Sequence, residues 1–375
     1  MKSHNRTFFK GLIPAIQNSQ RKEKSNYEVD SPLTEVITLE TLLKFSVDRN
    51  IEDIATAYSY PEKIKKNIGQ IVWISPREPH PFLGEQLASG EFFNCRINSL
   101  HMRNREEVKV PKPDGQKRIF LIGASTAYSA GAVDNEETIG HFMEKELNDL
   151  FYSKDKMVEV FTAATPQWSS THERILIANR LARLEPDLIV ALSGAADIFW
   201  TCQGQDTLEV APDWYQEFIN HSNHHLNLIN QPLIKKYPRN IFENRSFNRM
   251  VENYLYNIKQ SAYLLSQDNI PLLYALQPSL ITSRKSKSKI EKKNYDKFEY
   301  RCAIQNKSVE TGYALLRKSL SEASINNFLF TDLTTIFDEY NDEHFFMDSF
   351  HFGDKGSKVI GENLANIALP LIKKD

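Results

Sequence analysis

Between residues 117 and 332 the chain repeats one pattern: a short apolar run, then a longer stretch with helical spacing. The runs are RIFLIGA from Arg118, MVEVFTAA from Met157, DLIVALSG from Asp187, PLLYALQPS from Pro271 and FLFTDL from Phe328. Each is too short for a typical helix and rich in Val, Ile, Leu, Phe or Tyr, which marks a strand. The clearest stretch between them runs from Arg249 to Gln267, where Val251, Leu255, Ile258, Ala262 and Leu265 recur at spacings of four and three. KGSKVIGENLANIALPLI reads as a closing amphipathic helix. Strands alternating with helices dictate an α/β fold, with a parallel sheet covered on both faces. Ligands of such sheets bind beyond the C-terminal strand ends, near the point where strand order reverses.

The N-terminal third lacks this pattern. Residues 1–30 are polar and charged over most of their length and read as a flexible tail. Within them, 8–16 has room for a short surface-binding helix. Residues 31–79 read as a helical N-terminal extension: Leu39, Leu42 and Leu43 share a face, and Asn50 is placed to cap NIEDIATAY. The proline-rich WISPREPHPFLG cannot be one regular element. The main domain, with its lead-in segment, is therefore placed over 80–375.

A formal net charge of −2 argues against a dedicated nucleic-acid binder. No signal peptide or transmembrane run is evident, which points to the cytoplasm. Cys95, Cys202 and Cys302 have neither metal-type spacing nor a disulfide pattern. No phosphate loop or dinucleotide fingerprint appears, so neither metal nor cofactor is expected. One run is strongly basic: in 284–293, six Lys or Arg residues stand against Glu291. It reads as a solvated mobile loop, or as a basic lid for an anionic substrate or an acidic carrier protein.

The chemistry centres on FLIGASTAYSAG, where Ser125 follows the first strand run. A serine hydroxyl attacks at neutral pH only with a base in reach, an acid orienting that base, and donors for the oxyanion. The stretch FFMDSFHFGDKG supplies Asp348 and His351, three residues apart and just before the last helix. There the carboxylate can orient the imidazole and stabilise its protonated form. Neither motif is specific alone, but at the first and last strand ends of one sheet they form a coherent Ser-His-Asp set. His344 and Asp342 read as surface residues, His172 as solvent-facing, and Asp197 as a loop tie without chemistry. Trp168, Trp200 and Trp214 are candidates to line a substrate cleft, against the commoner fate of core packing.

LIGASTAYSAG, FTAATPQWSS, EPDLIVALSGAADIFW and DSFHFGDKG together resemble the four characteristic segments of the SGNH (GDSL-type) hydrolase superfamily, in its bacterial members. The resemblance spans about residues 117–370, with a lead-in at 80–104. It implies a flavodoxin-like three-layer α/β/α sandwich with a mainly parallel five-stranded sheet. It also implies acyl transfer from an ester or thioester, small or carrier-bound, as an esterase or an acyltransferase. By this resemblance Ser125 is the nucleophile, His351 the base and Asp348 the orienting acid. The backbone N–H groups of Ser125 and Ala164 are the expected oxyanion donors. The family's third donor, an Asn side chain, falls at Ala196, which has none. Thr165, Gln167 and Asn135 are the candidates to replace it. The alternative is a degenerate relative that binds an acyl group, glycan or partner without turnover.

Overall fold

The computed structural model describes residues 35–44, 50–150, 157–208, 247–302 and 304–373. The expected tail, its surface helix and Trp214 lie outside these residues.

The apolar runs form five strands: β1 Gln116–Gly123, β2 Met157–Ala164, β3 Leu188–Ser193, β4 Leu272–Leu276 and β5 Phe328–Asp332. They make one sheet in the order β5-β4-β3-β1-β2, and every pair is parallel. The chain passes from β1 out to the edge at β2, then returns to the other side of β1 as β3. Strand order therefore reverses between β1 and β3, and their C-terminal ends open on the crevice that such sheets use for ligands.

Alternate residues of β1 to β4 serve separate cores, as a period of two requires. Ile119 and Leu121 join one apolar cluster, Phe120 and Ile122 the other. The helices that cover the sheet are α1 Ile139–Leu150, α2 Ser170–Asn179, α3 Ala195–Cys202, α4 Phe247–Ser266, α5 Lys289–Cys302, α6 Asn306–Ser321 and α7 Asp354–Ile372. Residues of α1 and α7 pack in the first cluster; α2, α3, α4 and α6 contribute to the second. The result is the three-layer α/β/α sandwich expected.

The N-terminal region holds short helices, Leu39–Lys44, Ile51–Ala55 and Pro61–Asn67, and more than helices. Ile37–Thr38 pairs antiparallel with Val72–Ile74. Asn50 caps the second helix, its side chain accepting the Asp53 N–H at 2.8 Å. Leu39, Leu42, Ile54 and Ile64 are buried in the same cluster as α1 and α7. The proline-rich stretch divides, its second half forming a hairpin of Arg77–His80 with Gly84–Leu87.

The basic run departs from a solvated loop. Lys285 is fully buried against Glu291, Nζ to Oε2 at 2.6 Å. Lys293 pairs with Asp53 at 2.9 Å, Lys292 with Asp296, and Lys287 sits over the Tyr295 ring at 5.0 Å. The last five residues of the run, from Lys289, begin α5. Lys285 is thus engaged inside the molecule, while Arg284, Lys289 and Lys292 stay exposed.

Candidate active site

β1 ends at Gly123, which has φ 147 and sits so close to β3 that a Cβ would lie 2.4 Å from the Leu192 carbonyl oxygen. Only glycine allows this approach, and it turns Ser125 out at the strand end. The turn is held from behind by Arg103, buried in the lead-in. Its guanidinium donates to the carbonyls of Tyr128, Ser129 and Ala132 at 3.1, 2.8 and 3.2 Å. The N–H groups of Tyr128 and Ala130 close back on the carbonyls of Ala124 and Ser125, at 2.9 and 3.0 Å.

His351 and Asp348 arrive on the loop before α7. The structure brings them to Ser125: His351 Nε2 lies 2.8 Å from Ser125 Oγ, and Nδ1 lies 2.9 Å from both Asp348 oxygens. Asp348 Oδ1 also accepts the N–H groups of Phe350 and His351, at 2.8 and 2.9 Å, which fixes the tight turn. A carboxylate can only accept, so the Nδ1 proton points to Asp348 and Nε2 is left to take the hydroxyl proton. Trp73, from the N-terminal region, stands edge-on to the imidazole at 4.8 Å between centroids. Asp348 is buried, and Ser125 and His351 are partly open to a cleft.

That cleft has an empty volume of about 560 Å³ including its open mouth. Ala124, Ala195, Ala196, Phe199, Trp200 and Phe350 give it apolar walls. Its polar side chains are Ser125, Thr126, Gln167, Gln277 and His351. Ala196 stands in the wall, on the first turn of α3, and presents a methyl group.

Ala164 is not in the cleft. On β2 the N–H groups of Val158, Val160 and Thr162 point off the outer sheet edge, to Asn148, Glu144 and Asn104 at 3.0, 2.8 and 2.7 Å. The Thr165 N–H points the opposite way, to the Gly123 carbonyl at 3.3 Å. By alternation the Ala164 N–H faces the outer edge, away from Ser125. This corrects the expectation that Ala164 is an oxyanion donor. The cleft is reached three residues later by Gln167, at φ 77. Its turn is fixed by Trp200 Nε1, which donates to the Gln167 carbonyl at 2.9 Å. Its side-chain oxygen accepts from Arg77 at 3.2 Å. Among the described residues, no protein group accepts the backbone N–H of Ser125 or of Gln167.

Of the candidates to replace the missing Asn, Asn135 exchanges two hydrogen bonds with the Arg96 backbone and Thr165 is buried off the cleft. Gln167 lines the cleft with its amide oxygen accepting from Arg77, which leaves its amide nitrogen as a side-chain donor there. Of the tryptophans, Trp200 lines the cleft and Trp168 does not. Trp168 is buried and stacks on His172 at 5.9 Å. His172 is buried, not solvent-facing: it accepts the Ser169 N–H at 3.0 Å, and burial holds its imidazole down at about 4. His344 is buried too, between the Thr56 hydroxyl and the Phe346 carbonyl, whereas Asp342 is exposed. Asp197 ties α3 to α2, accepting from the Ser170 N–H and hydroxyl at 2.9 and 2.7 Å. Burial raises it to about 6, and raises Glu173 beneath it to about 7. Glu173 accepts from the hydroxyls of Ser193 and Tyr274 at 2.6 and 2.8 Å.

Among the described residues no His, Cys, Asp and Glu side chains are grouped to hold a metal ion. No described helix is long and apolar enough to cross a membrane.

No protein-family model and no curated protein sequence matches the chain. The solved structures it resembles are lipases, acylhydrolases and esterases, the GDSL type among them. One is a lipase from a goat rumen metagenome, 9% identical, covering 67% of this chain and 96% of that one with a TM-score of 0.42. Another is a putative lipolytic protein of the G-D-S-L family from Desulfitobacterium hafniense, 10% identical over 67% and 99%, with a TM-score of 0.38. A third is a lipase/acylhydrolase from Enterococcus faecalis, 12% identical over 68% and 96%, with a TM-score of 0.40.

Proposed function

We propose that this chain is a serine-dependent acyl-transfer enzyme of SGNH type that cleaves an ester or thioester. The observation that carries the reading is the chain of contacts from Asp348 through His351 to Ser125, at 2.9 and 2.8 Å, on the edge of an apolar cleft. Three side chains from two strand ends in this order are what a serine needs to become nucleophilic.

The roles follow from the geometry. Ser125 Oγ attacks the acyl carbon while its proton passes to His351 Nε2. Asp348 stabilises the imidazolium through Nδ1. The tetrahedral intermediate carries its charge on the former carbonyl oxygen, facing the N–H groups of Ser125 and Gln167. His351 then returns the proton to the leaving oxygen or sulfur, and the acyl group stays on Ser125. Water, or an acceptor hydroxyl or amine, loses a proton to His351 and takes the acyl group off, and His351 hands that proton to the departing Ser125 Oγ. The apolar walls suit an apolar acyl group better than a sugar.

The rival is a binder without turnover, favoured by the methyl group at Ala196. Labelling with a fluorophosphonate probe separates the two, read by intact mass and peptide mapping. A single adduct on Ser125, absent in Ser125→Ala, is the expected result. Folded protein that takes no adduct across the pH range where imidazole is neutral refutes the proposal.

A further inference from the structure

We infer that Gln277 delivers to the oxyanion the side-chain amide that Ala196 lacks. The inference rests on the acyl-transfer reading above and names a further catalytic residue for that site.

Gln277 is the first residue after β4, and its N–H bonds to the Ser193 carbonyl at the end of β3, at 3.0 Å. The side chain lines the cleft with Ser125, Ala196 and His351, yet the residue is only 1% exposed. Its Nε2 donates to Thr126 Oγ1 at 3.0 Å, and Thr126 Oγ1 donates to the Phe350 carbonyl at 3.1 Å. Thr126 has one hydroxyl proton, already given to Phe350, so it must accept from the amide. That settles which end of the amide faces Thr126. It also places the amide one hydrogen bond from the residue after Ser125, whose hydroxyl in turn links to the residue before His351.

An amide nitrogen carries two protons. Neither the second proton nor Oε1 of Gln277 bonds to a protein group among the described residues. Buried polar groups are almost always paired, and a buried amide left half-paired beside a nucleophile is set for something that enters the cleft. The Thr126 hydroxyl is committed to Phe350, and the Gln167 amide is tethered through its oxygen to Arg77. Gln277 comes from β4, the neighbour of the strand that precedes Ala196. Its extra methylene, relative to Asn, gives it the longer reach this route requires.

The test measures kcat and KM on p-nitrophenyl butyrate for the wild type, Gln277→Met, Ala196→Asn and the double variant. Met keeps the volume and removes the donor; thermal melting checks that each variant folds, and Gln277→Leu stands in if Met does not. The expected result for Gln277→Met is a fall in kcat on the order of 100- to 1000-fold at unchanged KM, since the donor acts on charge that develops in the transition state. The double variant is expected to recover most of that loss, because the Ala196→Asn change brings an amide from the other wall. A role for Gln277 only in propping Thr126 predicts no recovery, and that outcome overturns the inference. So does a rise in KM at unchanged kcat, which would make Gln277 a ground-state contact. A wild type that turns over while Gln277→Met is as fast also overturns it. A wild type with neither turnover nor a Ser125 adduct instead refutes the acyl-transfer reading beneath.

Discussion

Glu291→Gln is the most informative perturbation outside the cleft. The Lys285–Glu291 pair is closed at 2.6 Å with both side chains fully buried. Lys285 also donates to the carbonyls of Ser286 and Glu343, at 3.1 and 2.6 Å. Glu291 accepts the N–H groups of Ser288, Phe345 and Phe346 at 2.9, 3.2 and 3.4 Å. Glutamine keeps one acceptor oxygen, enough for the Phe345 and Phe346 amides or for that of Ser288 but not for both sides, and deletes the charge, so the ammonium of Lys285 is left buried without its anion. Removing one partner of a buried pair costs about 3–5 kcal/mol, whereas exposed pairs contribute at most about 1 kcal/mol. Glu291→Ala should cost more, because each orphaned N–H adds about 1–3 kcal/mol. Lys285→Met in the Glu291→Gln background should recover most of the charge penalty, since no uncompensated ion then remains. Urea unfolding, followed by fluorescence with m held in common, reads all four proteins. A loss below about 1 kcal/mol in Glu291→Gln would refute the buried pair, because that is the scale of a solvated one. The damage should reach the site as well. The segment that Glu291 holds continues to Met347, whose N–H bonds to the His351 carbonyl at 2.9 Å.

Three further outcomes are expected. Asp348→Asn should leave the fold intact and lower kcat about 10⁴-fold, because an amide donor facing Nδ1 selects the wrong tautomer; a loss under tenfold in steady-state kinetics would remove Asp348 from the mechanism. Glu173, raised from 4.5 to about 7 by burial, holds its proton in the native state after the unfolded chain has lost it. Its contribution is full below about pH 4.5 and is lost as pH rises to 7, a change of about 3 kcal/mol that Glu173→Gln should abolish in paired denaturation curves. His172, held down at about 4, runs the other way in both proteins, so the difference between their curves is the quantity to read. Trp73→Ala should cost about 3–5 kcal/mol as a buried large-to-small change and lower kcat by freeing the imidazole it abuts; unchanged kcat in a folded variant would reduce Trp73 to packing.

The inner strands were legible because each is a contiguous apolar run, and a run buried on both faces needs no knowledge of its partners; the edge strand β5, only partly buried, was legible from its apolar start alone. The start of β1 at Gln116 was not, since polar residues there pair only because β2 lies alongside. Ser125, Asp348 and His351 were legible as a set, one after the first strand and two just before the last helix, and their side chains do meet. Ala164 was misplaced because shifting one residue along a strand turns an N–H to the opposite side. Pro166 was the available signal, as it has no N–H to extend the ladder and marks where the chain turns into the cleft. Gln277 carried a weaker signal, as the first polar residue beyond a buried strand. Lys285 was counted as solvated with the rest of 284–293 because charge counting cannot see that Glu291, within the same run, closes on it at the base of α5. His172 and His344 went wrong for a related reason. A neutral imidazole whose nitrogens find partners, both in His344 and Nδ1 in His172, is acceptable inside, and only the tertiary partners decide.

The N-terminal region has a closer tie to the chemistry than its position in the chain implies. It touches both loops that meet at the site. On the Ser125 side, the Val72 carbonyl accepts the Gly131 N–H at 3.3 Å, and the Tyr58 hydroxyl donates to the Gly131 carbonyl at 2.7 Å. On the His351 side, the same hydroxyl reaches Met347 Sδ at 2.9 Å, and Asp354, at the start of α7, accepts the Ser59 N–H at 2.8 Å. Gly353 lies so near the Ala57 carbonyl that a Cβ would sit 2.2 Å from its oxygen. Trp73 closes the gap between the loops with its edge on the imidazole. Ser125 and His351 stand 226 positions apart on separate loops, and their 2.8 Å contact must be kept by whatever both loops rest on. The sheet supplies one such support at the end of β1. For the loop before α7, the supports are Glu291 on one side and the N-terminal region on the other. Much of what holds the Ser125–His351 contact therefore comes from two parts of the sequence outside the strand-and-helix pattern: the N-terminal extension and the basic run.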